Sequence, residues 1–145
     1  MGNGTSDDIE ISDFSRLPTA PVVSVQMLTY QHAPFLAEAI DGVLAQRTDF
    51  PIELLVADDA SSDGTGDIAK SYQRAHPEIV RVVTGPTNIG VRANRRRVAR
   101  RIRGEFVAFL RRRRLLDRSV KASASGRLPA RIPKQVRFIQ ISIIS

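Results

Sequence analysis

The stretch VADDASSDGT, residues 56–65, holds the densest potential chemistry in the chain. Two adjacent carboxylates, Asp58 and Asp59, close an apolar run and lead into small polar residues and a glycine turn. On a regular strand, successive side chains point to opposite faces, so the two acids cannot serve the same spot. One can hold the turn while the other reaches a ligand, or both can cap the turn and the helix after it. Tyr30 follows another apolar run, where its ring can stack on a flat ligand or close the core as a lid. Glu38 falls in the first turns of a helical pattern, as a ligand contact or a partner for the helix dipole. His32 and His76 have no metal-ligand spacing between them and are expected to be structural or exposed.

The elements that must position these groups follow from periodicity. PVVSVQML (21–28), IELLVAD (52–58), EIVRVVT (78–84) and EFVAFL (105–110) are near-continuous apolar runs. Such runs suit strands covered on both faces, as in parallel sheets. APFLAEAIDGVLAQ (33–46) spaces Phe35, Leu36, Ile40, Val43 and Leu44 at helical intervals. A second helix follows SSDGT, with Asp63 or Thr65 able to cap it. A third runs through Val91, Val98 and Ile102. The order β-α-β-α-β-α-β predicts an α/β, Rossmann-like parallel sheet. Ligands of such sheets sit outside the carboxyl ends of the strands. That places Leu28 to Tyr30, Asp58 and Asp59, the 85–90 loop and whatever follows Leu110 at the site.

Composition excludes several classes. The chain has 145 residues, no cysteine and 42% hydrophobic residues. That is enough apolar content for a core, with no disulfide framework and no thiolate chemistry. No apolar run approaches the roughly 20 residues that span a bilayer. The expected location is cytoplasmic, with peripheral contact to the inner membrane face as a variant. Gly-x-Gly-x-x-Gly does not follow the first strand, and no Walker A loop occurs. A receiver domain puts its acidic pair after the first strand, where this chain has Thr29 and Tyr30. The net charge of +7 hides a split. Residues 1–91 carry 5 basic and 13 acidic groups (−8), and residues 92–145 carry 17 and 2 (+15). The expected division is a flexible leader over 1–20, an α/β portion over 21–110 and an irregular basic tail over 111–145.

Taken together, VSVQMLTYQHAPFLAEAIDGVLAQ, IELLVADDASSDGT and NIGVRANRRRVARRIRGEFVAFL resemble the family 2 glycosyltransferases, which have a GT-A fold. The resemblance implies an incomplete GT-A fold over 21–110 that binds a nucleotide-diphosphate sugar for transfer to an acceptor. It implies that the backbone near Leu28 and the ring of Tyr30 line a nucleobase pocket. Asp59 would accept hydrogen bonds from the base, with Asp58 in support and Glu38 nearby. Asn88, Gly90 and Asn94 would border the nucleotide, with Arg97 a weaker candidate.

The family also places an acidic motif after the fourth strand, to hold Mg²⁺ or Mn²⁺ on the diphosphate. Here Arg111 to Arg114 occupy that position. Guanidinium groups only donate hydrogen bonds and cannot ligate a metal. No residue stands out as a general base or metal ligand, so no catalytic residue is assigned. Three explanations of the arginines stand. They can clamp the diphosphate directly. They can begin an arm for nucleic acid or anionic membrane. Or one extra nucleotide near Leu110 has shifted the frame. With permitted codons, the shifted frame turns Arg111–Asp117 into DGDDYW and supplies the missing acids. The third explanation is preferred, and it makes this chain a truncated, poorly active or inactive form.

Overall fold

The computed structural model describes residues 7–46 and 48–110, together with the backbone of 137–141. Six strands form one sheet: β1 (Ile9–Ile11), β2 (Val23–Thr29), β3 (Ile52–Asp58), β4 (Val80–Thr84), β5 (Phe106–Leu110) and β6 (Arg137–Ile141). Three helices connect the inner ones: α1 (Ala33–Leu44), α2 (Thr65–Ala75) and α3 (Val91–Ala99). The spatial order is β1-β4-β3-β2-β5-β6. All neighbours are parallel except β1, which runs antiparallel to β4. The expected α/β parallel sheet is therefore present.

The strand order places the site. From β2 the chain steps to β3 and then β4, moving one way across the sheet. After α3 it returns to the other side of β2 as β5. The reversal opens a crevice at the carboxyl ends of β2 and its neighbours, the position where open α/β sheets take ligands.

Alternation along the strands divides the buried residues between two faces. Val23, Val25 and Met27 of β2 pack with Leu54 and Val56 of β3 and with Val80 and Val82 of β4. Phe106 and Ala108 of β5, Leu36, Ile40 and Val43 of α1 and Ala69 of α2 complete that cluster. The opposite face carries only a small apolar group, in which Leu55, Ala57 and Val98 meet Leu28 and Ile102. Val83 and Val107 are also buried there, but beside them the face carries polar groups: Ser24, Gln26, Glu53 and Arg81 are all buried. Gln26 Nε2 has no hydrogen-bond partner among the described residues.

Two features depart from the sequence expectation. Residues 7–20 do not stand apart as a leader. Ile9–Ile11 forms β1, in register from Ile9 opposite Thr84 to Ile11 opposite Val82. Glu10 then bonds the buried Arg81, with Nη2 at 2.5 Å and Nε at 3.0 Å. A three-residue strand is too short to show a period. The closing run VRFIQISIIS has no evident partner in the sequence, yet Arg137–Ile141 pairs with β5. The irregular tail expected from residue 111 otherwise lies outside the described residues, as does the leader before Asp7.

Candidate functional site

The loops after β2 and β3 form one platform. Each has a non-glycine residue in the left-handed region: Gln31 at φ 54° and Ala60 at φ 56°. Such conformations persist only where surrounding bonds over-determine them. Here the bonds run between the two loops. Gln31 N donates to Ser61 Oγ at 2.9 Å, and Ser62 N donates to Gln31 Oε1 at 2.8 Å. His32 N donates to Thr65 Oγ1 at 2.9 Å.

Asp63 serves both helix starts. It accepts Ala33 N–H of α1 at 3.1 Å and Thr65 N–H of α2 at 3.1 Å, as well as the Thr65 hydroxyl. The Thr65 hydroxyl and these amides hold its carboxyl below the usual range. The N-cap position of α2 is Gly64, with no side-chain cap of its own, so Asp63 is the capping group and Thr65 is the first helical residue.

The two adjacent acids diverge, as alternation requires. Asp58 turns toward the start of α2, accepting Ser61 N at 3.1 Å, Ser61 Oγ at 2.5 Å and Thr29 Oγ1 at 3.1 Å. Asp59 turns toward α3, accepting Ile89 N at 2.8 Å and Gly90 N at 2.9 Å. Both carboxylates are buried, and both hold loops. Gly90 sits at φ 87°, a conformation that a side chain would strain. Asn88 Nδ2 donates to the Asp59 carbonyl at 3.2 Å, closing the 88–90 loop onto the same turn.

The other candidates separate by depth. Tyr30 is half exposed at the end of β2, so its ring is available at the crevice. Leu28 is half-buried against α3. Glu38 is exposed on α1, beyond the first turn, which contains no acid, so it does not serve that helix end. Asn94 is buried under the site, with Nδ2 donating to the Ala57 carbonyl at 3.1 Å. Arg97 is also buried and donates to the Asp58 carbonyl at 3.0 Å and to Asn94 Oδ1 at 2.6 Å. Asn94 and Arg97 therefore fix the end of β3 from below. Of the histidines, His76 pairs at the surface with Glu78 at 3.6 Å.

A cavity of about 340 Å³ lies beside α3, between the 85–89 loop and Asp7–Asp8, with Arg96, Arg97 and Arg100 on its wall. It does not include Tyr30 or Asp59. The strand-end crevice, with its locked loops and exposed ring, is the better-built site.

The family model described as "Glycosyl transferase family 2" matches residues 24–110. The chain belongs to that family. Its match starts on β2 and ends with β5, so it takes in the whole platform. The chain is 42% identical over 87 residues to the uncharacterized protein Rv1520 of Mycobacterium tuberculosis, covering 60% of this chain and 25% of that protein. It is 33% identical over 90 residues to the putative teichuronic acid biosynthesis glycosyltransferase TuaG of Bacillus subtilis, covering 62% and 35%. It is 32% identical over 122 residues to the putative glycosyltransferase EpsE of Bacillus subtilis, covering 84% and 40%. This family 2 chain thus spans a quarter to two fifths of these relatives' lengths.

Among solved structures it resembles the mannosyltransferase PcManGT of Pyrobaculum calidifontis in complex with GDP-Man and Mn²⁺. The TM-score is 0.53 at 29% identity, over 61% of this chain and 26% of that one. S. aureus TarS gives a TM-score of 0.52 at 30% identity, over 61% and 16%. The GT-A expectation for the sheet is supported by both. Among the described residues, no helix is long and apolar enough to cross a membrane.

Proposed function

We propose that this family 2 chain binds a nucleotide-diphosphate sugar at the carboxyl ends of β2 and β3, for glycosyl transfer to an acceptor. The observation that carries the proposal is the set of interlocked strand-end loops: Asp59 holds the Ile89 and Gly90 amides, its own amide bonds the Thr29 carbonyl, and Tyr30, the next residue, is half exposed. Support comes also from the GDP-Man complex of the similar mannosyltransferase. Tyr30 stacks on the base. Asp59 has acceptor capacity beyond its two amides and takes an N–H of the base edge. Asp58, Asn88, Gly90 and Asn94 keep that wall in shape. Glu38 and the backbone at Leu28 border the same pocket.

The similar mannosyltransferase was solved with Mn²⁺, and a divalent cation on the diphosphate is the expectation for the family. The described residues do not fit such an ion. They contain no group of three or more His, Cys, Asp or Glu side chains that could hold one. Asp58 and Asp59 diverge, one toward Ser61 and the other toward Ile89 and Gly90, so they do not present two carboxylates to one ion. The position after β5 holds Arg111–Arg114, which lies outside the described residues. No step is assigned to a metal, and this chain is proposed to turn over sugar nucleotides poorly or not at all.

The out-of-frame origin of the segment after Leu110 is part of this proposal, and the coding DNA tests it. AGA or AGG codons at Arg111–Arg114 would sink it. The similarity to EpsE weighs the other way. A span of 122 residues in a chain of 145 must run past Leu110.

Titration calorimetry with UDP and with GDP tests the site. One of them should bind, and Tyr30→Ala should weaken it roughly 5- to 150-fold, the value of one base–aromatic stack. Heat from neither nucleotide would overturn the proposal. A second reading is favoured by Arg92, Arg96 and Arg100, spaced one turn apart and exposed along α3. They would extend a basic surface for nucleic acid or anionic membrane. DNA binding that falls steeply with salt and vanishes without residues 111–145 would favour it.

A further inference from the structure

Arg97 is a buried cation whose single ion-pair partner among the described residues comes from the far end of the chain. Its side chain is 3% exposed, and Nη1 lies 3.3 Å from Asp8 Oδ1. Nη2 donates to the Asp58 carbonyl at 3.0 Å and to Asn94 Oδ1 at 2.6 Å. Asn94 in turn holds the Ala57 carbonyl. The guanidinium thus sits directly beneath the acidic turn. Space for it exists because residue 85 is glycine: a Cβ there would lie 2.8 Å from Arg97 Nη1.

Asp8 also lies 3.6 Å from Arg101 Nη2, and Arg101 Nη1 donates to the Arg97 carbonyl at 2.7 Å. One carboxylate therefore holds two successive turns around the end of α3. The same helix begins at Gly90, whose amide is bound by Asp59. So α3 is tied to the end of β3 twice, through Asp59 at its start and through Asn94 and Arg97 along its buried side. A buried charge that loses its partner is strongly destabilised in place, so the lower tie depends on Asp8.

We propose that Asp8 is a positioning residue for the nucleotide pocket, acting through Arg97 on the Asp58–Asp59 turn and the 88–90 loop. The N-terminal segment then works as a strap that sets the geometry of a site it does not touch. This rests on the nucleotide reading given above.

The test uses the full chain with UDP and GDP as probes, and follows amide exchange at Ile89 and Gly90. Asp8→Asn should weaken whichever nucleotide binds by roughly two- to thirtyfold, the range for changes along a contiguous network. It should also speed exchange at both amides, and Asp8→Glu should restore most of each. Arg97→Lys keeps the charge but loses the planar fork, and should behave like Asp8→Asn. A purely structural role would lower the urea midpoint and leave the affinity of the folded protein unchanged. Affinity within twofold of the parent, with unchanged exchange, overturns the proposal. If the parent binds neither nucleotide, the pocket reading fails by itself. The exchange data then decide on the strap, with unchanged rates at Ile89 and Gly90 refuting it.

Discussion

Hydrocarbon closes the sheet face under α1 and α2, whereas charge closes much of the face under α3. On the first, Val25, Leu54, Val82, Leu36 and Ile40 meet with no polar side chain among them. On the second, Glu53 is fully buried and accepts Ser24 Oγ at 2.7 Å, Arg81 Nη1 at 3.1 Å and Arg103 Nε at 3.1 Å. Arg81 continues to Glu10 and to the Arg101 carbonyl, and both Arg81 and Arg103 lie over the Phe14 ring. The apolar face answers a lost methyl with a cost graded by the volume removed. The charged face does not, since every donor there needs its own acceptor.

The largest break in this comparison should come from Glu53→Ala. It leaves Arg81 with Glu10 alone and Arg103 with no carboxylate, and should cost about 3–5 kcal/mol in urea unfolding, as removal of one partner of a buried pair does. Replacing both buried charges, Glu53→Leu with Arg81→Met, should cost less than Glu53→Ala alone, because only the partly exposed Arg103 then loses its carboxylate. If the double change costs more, the charged face is stabilising in its own right. On the other face, Ile40→Val removes one methyl from a fully buried site. Its expected cost is about 0.5–1.5 kcal/mol in the same unfolding experiment, with no dependence on pH.

The smallest effect is one of pH. Burial raises the Glu10 carboxyl, but hydrogen bonds from Arg81 and Ser12 and the charges of Arg81 and Arg101 outweigh it, leaving it below its usual 4.5. A depressed folded-state value means the stabilisation is present above the unfolded value. It is lost as pH falls through the folded one. Urea midpoints measured from neutral pH to well below 4.5 should decline, and Glu10→Gln should remove part of that decline. An unchanged pH profile in Glu10→Gln would show that Glu10 adds nothing to this face.

The same contrast explains what could be read from the sequence. The hydrocarbon face announces itself through local period, so β2 to β5 and all three helices are visible as apolar runs and helical spacings. The divergence of Asp58 and Asp59 is visible too, because it follows from strand alternation alone. The charged face is assembled from pairs such as Glu10 with Arg81 and Asp8 with Arg97, separated by 71 and 89 residues. Local pattern carries no trace of such partners. The split between an acidic first part and a basic second part is their one sign in the sequence. It invites a reading as a basic arm, yet Arg97, Arg101 and Arg103 face inward to acids. The loop-holding use of Asp59 likewise depends on where the 88–90 loop lands, which spacing does not fix.

β1 has a practical consequence for anyone dividing this protein. The family match begins at residue 24, and an expression boundary drawn there would appear natural. It would remove Asp8, Glu10 and Phe14 in one cut. Arg97 would be left without its carboxylate, Arg81 would keep Glu53 alone, and the outer edge of β4 would lose its strand. Bare edges of that kind recruit other chains. A fragment trimmed to the recognisable homology would be expected to aggregate, and its failure would say little about the domain itself.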